Sequence, residues 1–145
     1  MQALPHHYRV NAYGEFDTNL KVQAEGLPAI EVAGPVEFDG PGDKWSPEAL
    51  LMAAVANCFI LSFRAVAKAS EFKWLSIECE SQGKLDKVER QIQFTHINTH
   101  AKLTIARGAD SDKAEALLNK AERVCLISNS LLAEKHLQLS ILFSD

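Results

Sequence analysis

Apolar and polar residues alternate in three short segments near the N-terminus, which predicts three β-strands. These segments are Tyr8–Tyr13, Leu20–Ala24 and Ala29–Val32. Glycine and proline residues separate them, as is typical of turns between antiparallel strands. We therefore expect a small antiparallel meander, followed by a loop rich in Gly, Pro and Asp from Gly34 to Asp43.

The start of a long helix is marked in the sequence SPEALL. Ser46 can accept a hydrogen bond from the first-turn amides, and Pro47 suits the first helical position. The negative charge of Glu48 interacts favourably with the positive end of the helix dipole. No Gly or Pro interrupts the segment that follows, in which Ala, Leu and Met dominate. The helix is therefore expected to run to about Ala69 or Ser70.

The first part of this helix, Ala49–Phe63, is almost entirely apolar. Its 15 residues fall short of the roughly 18 to 20 that cross a bilayer, and Asn57 interrupts the apolar run. A short helix that is apolar all round belongs in the middle of a protein. The pattern predicts a central helix buried on all sides, and no membrane span.

Two long segments after the helix, Leu75–Gln82 and Arg90–Ile105, alternate at period two and predict paired strands. We expect them to form a hairpin across a turn at Gly83–Glu89. A short helical turn near Ser128 and a last strand, Leu137–Phe143, are predicted to close the chain.

A second helix is predicted between the paired strands and that last strand. It starts near Asp112 and runs to about Val124. The Asp112 side chain can cap the first turn, and the Glu115 side chain can reach back to the backbone amide of Asp112. Its apolar positions fall on one stripe, which consists of Ala114, Leu117, Leu118, Ala121 and Cys125. The order βββ, long helix, ββ, helix, β predicts an α+β fold in a single domain spanning residues 1–145.

Composition narrows the possible functions. The 145 residues, 16.0 kDa, carry 15 basic and 19 acidic side chains, and no segment concentrates Lys or Arg, so nucleic acid is not an expected partner. The first residues lack the apolar core of a secretory signal, which predicts a cytoplasmic protein. Three cysteines without a CxxC pair argue against a disulfide scaffold and a structural zinc site.

The five histidines suggest no metal site, and no cofactor is expected. His96 and His100 share one face of a strand but lie roughly 13 Å apart along it, too far to share an ion. His6 and His7 are adjacent and point to opposite faces, and His136 stands alone before the last strand.

Two cysteines are candidates for chemistry. Cys58 lies in the central helix and Cys125 at the inner end of the second, so both thiols point toward the apolar centre and could meet there. The alternative is that both are small buried core residues. Cys79 shares one face of its strand with Ile77 and is expected to be a core residue.

The segments around these two thiols, SPEALLMAAVANCF and RVCLISNSL, resemble the two signature segments of the OsmC/Ohr family of thiol peroxidases. Glu48 precedes Cys58 by ten residues, as in that family, and Cys125 is followed by Ser128 and Leu131 at the matching positions. The order of strands and helices from Tyr8 to Phe143 is similar as well.

The resemblance implies a peroxidase in which Cys58 is the peroxidatic thiolate, Cys125 the resolving thiol and Glu48 part of the site. A thiolate attacks the O–O bond, becomes a sulfenic acid and condenses with a second thiol to a disulfide, which a dithiol reductant would reopen. The family fold implies antiparallel sheets wrapped around a long central helix, in an intertwined homodimer whose subunits share the active sites.

The chain departs from the family at two points. Family members place an arginine beside the helix-start glutamate, whereas the comparable loop here has Glu37, which leaves Arg9 and Arg64 as the candidate cations. Leu126 stands where the family usually has proline.

Apolar residues near the thiols favour organic hydroperoxides as substrates. They are Met52, Phe59, Phe63 and Trp45. One alternative is a non-catalytic protein that binds a hydrophobic ligand in the same pocket. A second is a structural protein whose cysteines are core residues.

Overall fold

The order of helices and strands confirms the predicted α+β fold, with two three-stranded sheets and a long central helix. The computed structural model describes all 145 residues. Its elements are β1 (Asn11–Tyr13), β2 (Leu20–Gln23), β3 (Ile30–Val32), α1 (Pro47–Ala69), β4 (Ser76–Val88), β5 (Gln91–Ile105), α2 (Ser111–Val124), α3 (Leu126–Asn129) and β6 (Glu134–Phe143). The chain divides into two compact units, Met1–Leu50 and Leu51–Asp145. That residues 1–145 form a single domain therefore stays a prediction.

The first unit contains the predicted antiparallel meander, in the order β1–β2–β3. The loop after β3 includes one 3₁₀ turn and folds back so that the amide of Ala33 donates to the carbonyl of Trp45 at 2.9 Å. Gly40 lies so close to Gly34 that a Cβ atom at position 40 would come within 1.6 Å of the Gly34 carbonyl oxygen. Only glycine fits there.

Helix α1 begins where the sequence predicts. The hydroxyl of Ser46 accepts a hydrogen bond from the amide of Ala49 at 3.1 Å, which caps the first turn. At 23 residues, α1 is longer than its apolar segment and has the length and composition of a membrane span. Core helices of soluble proteins also have both properties, so α1 alone is weak evidence for a span.

Within one chain only one stripe of α1 is buried, so the predicted enclosure on all sides would need a second chain. The stripe consists of Val55, Phe59, Phe63, Val66 and Ala67, spaced three or four positions apart along most of its length. Phe59, Phe63, Val66 and Ala67 pack into a core formed by β5, α2 and the helix itself, whereas Val55 packs in a second cluster with Ile97 and Ala133. On another face Leu61 is 57% exposed. A single chain therefore leaves part of this apolar helix uncovered.

The second sheet differs from the prediction in its turn and in one strand direction. The paired strands are connected at Glu89 and Arg90, and Gly83 lies inside β4 rather than in the turn. A Cβ atom at Gly83 would come within 2.8 Å of Met52 and of Phe94, so the glycine permits close packing. Strand β6 pairs with β5 in parallel, because α2 and α3 carry the chain back across the sheet, so the sheet is not purely antiparallel.

Helix α2 buries its predicted stripe but is capped by a different residue. Ala114, Leu117, Leu118, Ala121 and Cys125 are all buried. The carboxylate of Asp110 accepts a hydrogen bond from the backbone amide of Lys113, with 3.0 Å between Oδ1 and N. Asp110 is therefore the cap, and Asp112 lies inside the first turn. The sequence has an acidic residue at both positions, and only the backbone geometry shows which of the two is the cap.

This cap gives a test of the fold. Replacing Asp110 with Ala should lower the free energy of unfolding by about 1 kcal/mol, because a first-turn amide loses its acceptor. Asp112→Ala should cost less, since it removes only a charge near the dipole. Urea denaturation measures both changes. Equal losses for the two variants would contradict the assignment of the cap.

Candidate active site

Cys58 lies on α1 beside the buried stripe and faces a groove. Successive helical residues are rotated by about 100°, so the burial of Phe59 turns Cys58 toward the edge of the stripe. The side chain is partly exposed, and its Sγ lies 3.9 Å from the hydroxyl oxygen of Ser62, one turn further along. The thiol is therefore accessible and has a hydroxyl neighbour.

Cys125 lies at the junction of α2 and α3 and has no exposed surface. Its amide donates to the carbonyl of Glu122 at 3.4 Å, and its own carbonyl accepts the amide of Asn129 at 3.0 Å. Asn129 also donates from its side chain to the carbonyl of Arg123 at 3.0 Å. Hydrogen bonds to residues before and after this cysteine therefore fix its backbone.

The two thiols are direct neighbours, so the predicted meeting of Cys58 and Cys125 is found. Burial raises the pKa of Cys125 above its usual range. Hydrogen bonds from the amide and side chain of Ser128 oppose this rise, whereas the adjoining Cys58 thiol adds to the raised pKa. At neutral pH Cys125 is therefore a protonated thiol in contact with Cys58.

The groove in front of Cys58 has a volume of about 540 Å³ and is mostly apolar. Its walls are Ala54, Asn57, Cys58, Leu61, Ser62 and Ala65 of α1 with Val124, Leu126 and Ile127.

Other apolar residues were expected to form this pocket, and that prediction is wrong. Phe59 and Phe63 are fully buried in the core, and Met52 packs against a second buried cluster. Trp45 lines a separate groove within the first unit.

Glu48 lies in the first turn of α1, as predicted. Its Oε2 atom is buried and has no hydrogen-bond partner. Among the candidate cations, Arg9 and Arg64 are both exposed, and no ion pair involves either of them. The structure therefore assigns no arginine to this carboxylate within one chain.

Cys79 packs against the core, as the sequence predicts. Burial raises its pKa to about 11, with smaller contributions from Glu122 and Cys125, whereas a hydrogen bond with Ser81 lowers it. A thiol with this pKa is a poor nucleophile near neutral pH.

Two serines lie at the site, of which the sequence did not predict Ser62 and indicated Ser128 only as a match to the family's second segment. Ser62 follows Cys58 by four residues, a spacing that places neighbours on one helix face. Ser128 is buried and follows Cys125 by three residues, the spacing of a short helical turn around the thiol. In both cases helical spacing from a candidate cysteine was the available signal. Leu126 opens α3, where the amide needs no helical acceptor and both Leu and Pro fit.

The sequence profile of the OsmC-like protein family matches residues 40–140. The chain therefore belongs to the OsmC-like family, whose members include peroxiredoxins and hydroperoxide resistance proteins.

Three relatives define the similarity more closely. The uncharacterized protein YmaD of Bacillus subtilis is 26% identical over 138 residues, which cover 92% of each chain. The peroxiredoxin OsmC of Escherichia coli is 29% identical over 89 residues, 61% of this chain and 62% of its own. The crystal structure of an organic hydroperoxide resistance protein OsmC from Legionella pneumophila superposes with a TM-score of 0.76, at 29% identity over 97% of this chain and 99% of that one.

The three thiols should differ in their rate of alkylation. We expect iodoacetamide at pH 8 to modify Cys58 first, because Cys125 has no exposed surface and, with a pKa of about 11, roughly one Cys79 thiol in a thousand is ionised. Peptide mass mapping over time measures the order, and the urea-unfolded chain, in which the three rates should converge, is the control. Faster labelling of Cys79 or Cys125 than of Cys58 would contradict this description.

Proposed function

We propose that this protein is a thiol peroxidase that reduces organic hydroperoxides, with Cys58 as the peroxidatic residue and Cys125 as the resolving residue. One observation carries the proposal: the two thiols are neighbours, yet only Cys58 reaches the groove. The names of the relatives support the same reaction class. We also propose a cytoplasmic location, since three cysteines without a CxxC pair fit a reducing compartment better than a disulfide scaffold.

In the first step the Cys58 thiolate attacks one oxygen of the peroxide. The S–O bond forms as the O–O bond breaks, and the leaving alkoxide takes a proton to become an alcohol. The peroxide is reduced by two electrons and Cys58 is oxidised to a sulfenic acid. The hydroxyl of Ser62, 3.9 Å from Sγ, is placed to donate a hydrogen bond to the thiolate.

In the second step the Cys125 sulfur attacks the sulfur of the sulfenic acid. The S–S bond forms as the S–O bond breaks, and hydroxide leaves with the proton of Cys125 as water. The amide and hydroxyl of Ser128 stabilise the developing charge on Cys125. A dithiol reductant then supplies two electrons and two protons and regenerates both thiols.

The lining of the groove supports an organic substrate. Ala54, Leu61 and Val124 offer an apolar surface beside the reacting sulfur, and Asn57 is a polar neighbour. Burial of an alkyl group contributes roughly 25 cal/mol for each Å² removed from water. Hydrogen peroxide has no such group, so it should be the poorer substrate.

Glu48 is proposed as the partner of a cation in the assembled site. A buried carboxylate oxygen without a donor is unfavourable by roughly 1–3 kcal/mol or more, so a partner is expected for Oε2. No arginine of the same chain fills that position. A second chain would provide further donors.

The uncovered face of α1 supports a homodimer. Leu61 is 57% exposed and Leu126 66% exposed, and both lie along the groove that contains Cys58. An apolar face of this kind is typical of an interface between subunits. Sedimentation equilibrium should give twice the 16.0 kDa of one chain, and Leu61→Lys should shift the protein toward the monomer. A fully active protein of 16.0 kDa would contradict the dimer.

One equivalent of cumene hydroperoxide should make the reduced protein lighter by two hydrogens. Peptide mapping should place the new disulfide between Cys58 and Cys125, and Cys79→Ser should leave the reaction unchanged. The mass loss reports the disulfide directly, because oxidation to a sulfenic acid alone adds one oxygen.

Two outcomes would contradict the peroxidase. One is oxidation of Cys79 alone, and the other is a mass that does not change. The second outcome would favour the non-catalytic protein that binds a hydrophobic ligand, a function that the apolar groove and the unpartnered Glu48 also accommodate.

A further inference from the structure

Three potential metal ligands meet on the outer face of the second sheet, away from the thiols. His96 of β5 is the direct register partner of Glu134 on the parallel strand β6, and His136 follows Glu134 by two positions, on the same face. The three ligand atoms lie within 4.8 Å of one another. The sequence prediction that His136 stands alone is therefore wrong.

The two distances between histidine and glutamate in this cluster are close to those between ligands of one metal ion. His96 Nε2 lies 3.3 Å from Glu134 Oε2, and His136 Nε2 lies 3.4 Å from Glu134 Oε1. Two ligands that each lie about 2.0–2.1 Å from a tetrahedral ion are about 3.3–3.4 Å apart. Each histidine nitrogen thus lies at that separation from a different oxygen of the Glu134 carboxylate, and a bidentate carboxylate would present both oxygens to one ion.

The hydrogen bond between His96 and Thr95 supports the tautomer that carries its proton on Nδ1 and leaves Nε2 without one. The hydroxyl of Thr95 donates to the carbonyl of Lys84 at 3.4 Å, so its oxygen is free to accept from Nδ1–H of His96 at 3.0 Å. In this tautomer the lone pair of Nε2 faces a carboxylate, which is itself an acceptor. A metal-binding histidine usually donates a hydrogen bond from its second ring nitrogen to a neighbouring acceptor, as Nδ1–H does here to Thr95.

The geometry places the three groups so that a single cation could contact all of them. The His96 and His136 rings are stacked, with centroids 6.0 Å apart and planes 11° from parallel. One divalent ion would satisfy both nitrogens and the carboxylate together.

We propose that His96, Glu134 and His136 form a binding site for a divalent first-row transition metal ion, with zinc as the reference ion and water in the remaining position. Two imidazoles and one carboxylate suit zinc, nickel and copper rather than magnesium or calcium. The ligands are 40%, 65% and 54% exposed, so the ion is exchangeable from solvent. The site links the last strand to the centre of the sheet.

Calorimetric titration of the metal-free, reduced protein with zinc chloride tests the site. We expect one zinc ion per chain, and at least tenfold weaker binding in His96→Ala and in His136→Ala. His100→Ala is the matched control, because His100 lies on the same face of β5 and hydrogen-bonds Ser140 instead. The absence of binding, or an affinity unchanged in His96→Ala and His136→Ala, would overturn the proposal.

Two further measurements separate this site from other zinc ligands. Thr95→Val should weaken zinc binding about 10–100-fold while leaving all three ligands in place, because it removes the support of Nδ1. Cobalt(II) should give visible bands without the intense near-ultraviolet absorption of a cobalt–thiolate bond. That absorption, or loss of binding in Cys58→Ser, would place the ion at the thiols and refute the site.

Discussion

The packing of Phe59 and Phe63 into the core determines where the Cys58 thiol points. Both rings are completely buried against β5 and α2, so α1 cannot rotate about its axis without exposing them. Cys58 is consequently held at the boundary between the core and the groove. The buried stripe of α2 ends on Cys125, which brings the second thiol to the same boundary from the inside.

This arrangement supports the proposal of different roles for two chemically similar residues. Cys58 has access to solvent and a hydroxyl neighbour, whereas Cys125 is covered, protonated and held by the hydrogen bonds of α3. A molecule in the groove would meet only the first thiol. Under the proposed function, the second thiol would react once its neighbour had become an electrophile, which is the order that a two-cysteine peroxidase requires.

The local patterns of the sequence predicted the elements and the meeting of the thiols, because helical periodicity and caps are short-range properties. The sequence-based predictions failed where the structure depends on residues that are distant in sequence. Gly83 is part of a strand because Met52 and Phe94 pack against it. The His96–Glu134 pair depends on the parallel register of β5 and β6, which no spacing along the chain reveals.

Stopped-flow measurement of the first turnover with cumene hydroperoxide tests the division of roles most directly. The account predicts that Cys125→Ser consumes one equivalent at a rate close to that of the unmodified protein and then stops, while Cys58→Ser consumes none. The sulfenic acid left in Cys125→Ser should react with dimedone. Equal slowing of the first turnover by both substitutions would contradict the assignment of Cys58 and Cys125.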